Sequence, residues 1–171
     1  KDKKVFVMGS SWESDEEVML PALIKLMEVD PEIITIIVPH EPTELHIESA
    51  EQTLTGKFDS IRFSYLNNYK GERVIIIDSI GILLTLYTYA HAAYVGGSFK
   101  QGIHNVLEPA VYGIPILFGP KHENSQEAIK MAEIGGGIVV RNKKEAYKNL
   151  RRIFIDEKLR SSLGKICADY V

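Results

Sequence analysis

Among its 171 residues the chain contains one cysteine, Cys167. That excludes an intrachain disulfide framework and a cysteine-rich zinc site, and it suits a reducing compartment such as the cytoplasm. No long basic run is present: 20 Lys and Arg face 23 Asp and Glu, for a formal net charge of −3. The electrostatic surface of a nucleic-acid-binding protein is therefore not expected, and any polyanion bound must be small and locally held. Long apolar stretches are missing too. Lys1-Asp2-Lys3-Lys4 leads only into Val5 to Met8 before a glycine, and the longest apolar region, Ile80 to Val95, is broken by Thr85, Thr88 and His91. Neither a signal peptide nor a bilayer-spanning helix is expected. No nucleophile elbow, Walker loop or His-Glu-x-x-His occurs, and the histidines lack metal-ligand spacing, so no metal is expected. The start at Lys1, directly before a strand-like run, suggests a fragment of a longer protein.

What is present has the make-up of one soluble domain with a substantial core, 45% hydrophobic and 25% charged. Short apolar runs recur at Val5–Met8, Ile33–Val38, Val74–Ile77, Ala92–Val95, Pro115–Phe118 and Ile138–Val140, with Ser60–Leu66 a weaker candidate. Runs without alternation are how strands buried on both faces of a parallel sheet appear. Between them lie helical patterns. Ser14 and Glu17 have capping-box spacing before a helix to about Val29, and Thr43 can cap the next. Helices are further expected over Ile80–Ala90, over His104–Tyr112 closed by Gly113, from the Asn124/Glu127 capping signature to near Gly135, and over about 143–155 and 157–169. The cationic residues of the last two read as a solvated face. Six or seven strands alternating with helices predict a doubly wound, Rossmann-like parallel α/β domain, without internal repeat or linker.

In such sheets ligands bind beyond the carboxyl ends of the strands. At one such end Gly96 and Gly97 allow close backbone approach, and the loop runs through Ser98 and Gly102 into a helix whose N–H groups would favour a phosphate. His104 and Glu108, four apart, would share a helical face, the carboxylate accepting from both hydroxyls of a ribose; alternatively Asn105 and Glu108 form a capping box. Lys121 can neutralise a phosphate, while Asn124 can meet a ligand hydroxyl or, the reading we favour, cap its helix. Ser10 and Ser11 are phosphate donors or ordinary turn residues. His40 and Glu41 sit between prolines in a stiff loop, and Asp78 either caps the following helix or shapes a nucleobase pocket.

Taken in order, these strand-end strings resemble the C-terminal half of 3-deoxy-D-manno-octulosonic acid (Kdo) transferases. The strings are Gly9-Ser10-Ser11-Trp12 with Asp15-Glu16-Glu17, Pro39-His40-Glu41-Pro42, Asp78-Ser79-Ile80-Gly81, Gly96-Gly97-Ser98-Phe99, His104-Asn105 with Leu107-Glu108-Pro109-Ala110, and Phe118-Gly119-Pro120 with Glu123-Asn124. The resemblance covers nearly the whole chain. It implies the C-terminal, donor-binding domain of a GT-B glycosyltransferase whose intact form moves Kdo from CMP-Kdo to a lipid A precursor. That reaction inverts the anomeric carbon, needs no metal or cofactor, and belongs to lipopolysaccharide biosynthesis at the cytoplasmic face of the inner membrane. By this likeness Ser10, Ser11, His40, Gly96, Gly97, Ser98, His104, Asn105 and Asn124 surround phosphate and Kdo. Asp78, Ile80 and Gly81 lie near the cytosine, Glu108 holds the ribose, and His104 or Lys121 stabilises the departing phosphate.

The base and the membrane-facing acceptor surface are expected in an N-terminal domain absent from this chain, which alone should bind the donor weakly and catalyse nothing. A monomer is the default expectation. Ile103 stands where the family has a second glycine, Val106 where it has proline, Ile82 where glutamate is common and His91 where an acid is found. The nearest alternatives are a UDP-sugar transferase or UDP-N-acetylglucosamine 2-epimerase, and a non-catalytic nucleotide-sensing module.

Overall fold

The computed structural model describes residues 3–100 and 102–171; Lys1 and Asp2, and Gln101 of the 96–108 loop, lie outside them. Seven strands are present among the described residues: β1 (Lys4–Ser11), β2 (Ile33–Pro39), β3 (Ser60–Arg62), β4 (Val74–Ile76), β5 (Ala92–Val95), β6 (Ile116–Phe118) and β7 (Gly137–Val139). They form one all-parallel sheet in the order β3-β4-β2-β1-β5-β6-β7. The helices are α1 (Glu13–Val29), α2 (Glu44–Leu54), α3 (Leu83–Tyr87), α4 (Leu107–Ala110), α5 (Gln126–Ile134), α6 (Lys143–Ile155) and α7 (Glu157–Tyr170).

Strand periodicity sorts the core into two layers. Phe6, Met8, Ile37, Ala92, Tyr94 and Leu117 pack with α1, α2 and α6 on one face, where the Phe6 and Phe154 rings meet edge-on at 6.1 Å. Val7, Ile36, Ala93 and Ile77 pack with Tyr87 and Ile114 on the other, and Val95, Ile116 and Phe118 with Ala110, Met131 and Cys167. Both faces are covered, so the apolar runs of β1, β2 and β5 lack alternation, as the doubly wound reading requires.

Thr43 caps α2 by accepting from the His46 N–H, and α5 ends at Gly135 in the left-handed region. Three elements are shorter than the sequence suggests. The strand begun at Ser60 stops at Arg62 and continues as a 3-10 turn over Phe63–Asn68. The helix expected over 80–90 is reduced to α3, because Gly81 has φ 97° and Ile80 is 83% exposed, with no core contact to hold a first turn. The helix expected over 104–112 is reduced to α4, preceded by residues whose backbone hydrogen bonds go to β5's loop.

Helix α7 docks where it carries no side chain: a Cβ on Gly164 would lie 2.0 Å from the Gly113 carbonyl oxygen. In a solvent-facing helix, Gly→Ala gains about 0.5–1 kcal/mol. Here the backbone contact outweighs that gain, so Gly164→Ala is expected to lower the denaturant midpoint, and a raised midpoint would show that α7 is free to shift.

Candidate functional site at the carboxyl edge of the sheet

Because all strands run in parallel, their carboxyl ends share one edge. Neighbouring β1 and β5 then send the chain to opposite faces, β1 into α1 and β5 toward α4. Such a divergence leaves a crevice between the two strand ends. Backbone shapes its walls. The register of β1 breaks between Met8 and Ser11, and Ser10 takes φ 50°, which costs a non-glycine residue about 1–2 kcal/mol. Gly96 approaches this bulge so closely that a Cβ would sit 2.1 Å from the Ser10 carbonyl oxygen. Gly97 has φ 102°; its carbonyl accepts from the Gly102 N–H at 2.6 Å, and the His104 N–H returns to the Gly96 carbonyl at 3.0 Å. The loop therefore closes on itself.

A buried carboxylate fastens these walls together. Asp15 accepts from the Trp12 N–H at 2.8 Å, from the Tyr94 hydroxyl at 2.7 Å, and from the Gly97 N–H at 3.1 and 3.3 Å. Burial raises its pKa, while the bonds from Tyr94, Trp12 and Gly97 favour the ion. The helix cap thus pairs Trp12 with Asp15 at its third position, not Ser14 with Glu17. Beside it, buried Glu16 accepts from the Ser11 hydroxyl at 2.8 Å and lies 2.7 Å from His46 Nε2. Burial of the His46 imidazole opposes its charge, but the hydrogen bond and charge of Glu16, helped by Glu13, overcome this and raise its pKa.

Three rings stack at the mouth. His40 lies 4.7 Å from Trp12 and 4.4 Å from His104, centroid to centroid, with interplanar angles of 21° and 14°. Trp12 Nε1–H donates to His104 Nε2 at 2.8 Å. Indole only donates, so Nε2 carries no proton and the neutral ring holds its proton on Nδ1. Burial, then the charge of His40, lowers the His104 pKa.

The far wall is the loop after β6. Buried Ser98 accepts the Gly119 N–H on its hydroxyl at 2.5 Å and the Lys121 N–H on its carbonyl at 2.7 Å. The Asn124 amide pairs with both backbone groups of Ile103 at 3.1 Å. It is not the helix cap: Ser125 caps α5 by accepting from the Ala128 N–H. Half-buried Glu108 lies on α4 in a cleft of about 270 Å³, with Leu84, Asn105, Leu107, Val111 and Tyr112. Its charge, after burial, helps hold the Tyr87 phenol well above its ordinary pKa.

The structure thus gathers Ser10, His40, Gly96, Gly97, Ser98, His104 and Asn124 around the crevice, with Lys121 exposed at the edge. Other sequence candidates are differently engaged. The Ser11 hydroxyl is buried against Glu16. Asp78 accepts from the Ser64 N–H and hydroxyl, capping the 3-10 turn and not α3, while Ile80 and Gly81 form an exposed turn. His104 precedes α4, so it does not share a helical face with Glu108. Asn105 accepts from the Leu107 N–H at 2.8 Å, and the capping box with Glu108 does not form. That bond also occupies the first N–H of the short helix expected to face a phosphate. Ile103 and Val106 are core residues, Ile82 packs under α3, and the His91 ring accepts from the Val5 N–H at the opposite edge.

The sequence reading gives Trp12, Asp15 and Tyr94 no role. The signal lies in the three-residue spacing from Trp12 to Asp15, obscured because tryptophan is not a recognised cap. Larger hollows of about 550 and 680 Å³ lie at residues 56–59 with 70–73 and along α1 and α2, outside the strand-end crevice.

No protein-family model matches the chain. Its sequence is 32% identical over 168 residues to a 3-deoxy-D-manno-octulosonic acid transferase of Aquifex aeolicus, covering 92% of this chain and 46% of that protein. Its fold superposes on the C-terminal CMP-Kdo binding domain of WaaA from Acinetobacter baumannii with a TM-score of 0.86, at 20% identity over 99% of this chain and 89% of that one. It also superposes on UDP-GlcNAc 2-epimerase from Neisseria meningitidis with a TM-score of 0.69, at 11% identity over 96% of this chain and 39% of that one. The chain accordingly has the fold of a GT-B glycosyltransferase C-terminal domain. By sequence it is a relative of the Kdo transferases, and it spans less than half the length of the transferase it matches.

Trp12 is the one tryptophan of the chain, so its emission reports the stack. Protonating His104 Nε2 breaks the indole hydrogen bond, and an imidazolium beside indole quenches it. With His40, whose ring also stacks on the indole, replaced by Gln, fluorescence is expected to fall with decreasing pH at a midpoint below the 6.5 of an ordinary imidazole, and a further His104→Gln should remove that transition. Folded His104 resists a proton that the unfolded chain accepts near 6.5, so it lowers stability as pH falls from there toward its depressed value. His46 acts oppositely: its stabilisation is full below 6.5 and is lost as pH rises through its raised value. His46→Gln should therefore abolish the gain of stability that acidification gives as pH falls from the raised His46 value to 6.5, read by denaturation at about pH 6.5 to 8.

Proposed function

We propose that this chain is the donor-binding domain of a Kdo transferase, holding CMP-Kdo at the β1/β5 crevice. One observation carries the reading: the strand-end strings that resemble the family are the residues the fold brings to one edge, in a chain 32% identical to a Kdo transferase over 92% of its length. The intact enzyme would transfer Kdo to a lipid A precursor in lipopolysaccharide biosynthesis, at the cytoplasmic face of the inner membrane. The reaction would be a metal-independent inverting displacement. The acceptor oxygen attacks the anomeric carbon as CMP departs, and the acceptor's proton passes to a base outside this chain.

Within the chain, neutral His104 presents Nδ1–H as a donor, with exposed His40 stacked on it and exposed Lys121 on the loop after β6 to meet the phosphate and the sugar carboxylate. Glu108 accepts from the ribose hydroxyls, its cleft offering apolar contact from Leu84, Leu107 and Val111. Ser98 and Asn124 act through the backbone they hold.

CMP is expected to raise the thermal midpoint more than UMP or UDP does. Equal or reversed shifts would favour the UDP-sugar enzymes of the same fold. Glu108→Ala should abolish the CMP shift at an unchanged unliganded midpoint; normal CMP binding by that variant would confine the glutamate to a local structural role.

A further inference from the structure

Asp15 is paired through hydrogen bonds and, among the described residues, with no cation. A lone buried carboxylate is an expensive way to gain stability, because its desolvation is repaid only by the groups that donate to it. Its donors are informative. They come from three places: the N–H that opens α1 at Trp12, the Tyr94 hydroxyl on β5, and the N–H of Gly97 at the turn of the glycine loop. Two of the three lead to the same residue. Trp12 reaches the His104 ring through its indole N–H, and the loop turned at Gly97 reaches the His104 backbone through the bond from its N–H to the Gly96 carbonyl.

We infer that Asp15 is a positioning residue that holds His104 in its Nδ1–H form and orients it, with the glycine loop, toward an anionic ligand. It touches no ligand. Its carboxylate is buried, and a Cβ on Gly96 would sit 2.9 Å from Oδ2, so on that side only a glycine backbone fits against it. An amide cannot replace it, since the Asn Nδ2 would face a backbone N–H in place of an acceptor. Around His104 the charged and titratable groups are His40, stacked on it from the β2–α2 turn, and Asp15 itself behind Trp12 and Gly97.

That the ligand is CMP rests on the function proposed above; the control of His104 does not. The test is the pH titration of Trp12 emission in the 171-residue chain carrying His40→Gln, where the imidazole stacked on the indole no longer contributes a transition of its own, beside CMP affinity of the chain with His40 intact by calorimetry. In Asp15→Asn the midpoint is expected to rise toward 6.5, and CMP affinity to fall about tenfold or more. Phe6→Ala, destabilised to a similar extent, should leave the midpoint where it is, because lost stability alone does not alter the indole–imidazole bond. Tyr94→Phe removes one donor and should shift both readings the same way by less, and it carries the test if Asp15→Asn does not fold. An unchanged midpoint in a folded Asp15→Asn, or in Tyr94→Phe where that variant stands in, overturns the inference. Failure of the wild type to bind CMP would overturn the proposed function and leave the fluorescence result to decide on Asp15.

Discussion

The structure depends on one constraint, the parallel pairing of β1 with both β2 and β5. Every side chain of β1 from Phe6 to Met8 is fully buried, so the strand is fixed in register from both sides, and a slip by one residue would move Val7 into the layer of Phe6 and Met8. Parallel pairing also places all carboxyl ends on one edge. Because α1 then covers one face and α4 the other, the gap between β1 and β5 is a product of topology. The residues bordering it could have been different; the gap itself could not have been elsewhere.

How much of this was legible in the sequence depends on which interactions set each feature. The strands were readable because burial on both faces leaves continuous apolar runs, and β2, Ile33 to Pro39, follows its run closely. The last two helices, expected over about 143–155 and 157–169, form at those bounds because Asn142 and Asp156 cap them locally, with no distant partner needed. The candidate edge was readable for the same reason, since it follows from strand direction. Elsewhere a long-range hydrogen bond displaced a local preference. Residues 104–112 have helical spacing, but the His104 N–H is taken by Gly96 and α4 starts only at Leu107. Asn124 and Ser125 are both good caps and adjacent. The choice between them is made by Ile103, twenty-one positions away. No window of sequence contains that information.

Asp15 shows the same limit from another side. Local rules find acidic residues in the first turn of α1 and assign them to the helix dipole, which Glu13 can satisfy at the surface. They do not reveal that the third position faces the turn of a loop more than eighty residues later. Nor do they reveal that Trp12, an unusual N-cap, stands where its ring meets two histidines.

In the proposed reading the two sides of the β1/β5 divergence have different tasks. Toward α1 lie the polar rings and the clamped glycine loop, suited to phosphate and carboxylate; toward α3 and α4 lie Leu84, Leu107, Val111 and one carboxylate, suited to a nucleoside. A ligand with one anionic end and one ribose end would span the gap, and its length would sense the distance between walls set by β1 and β5. The fold alone leaves the identity of such a ligand open, since a UDP-GlcNAc 2-epimerase shares it at a TM-score of 0.69. Discrimination therefore has to come from side chains on the walls. On the anionic side the neutral, donor form of His104 sets a polarity that a protonated ring would not, because its partner indole accepts nothing. In that reading the ligand's charged end would be met by a hydrogen-bond donor of fixed direction, with charge supplied separately by exposed Lys121. This division explains why a site for a doubly anionic sugar nucleotide would contain an imidazole held out of its charged state.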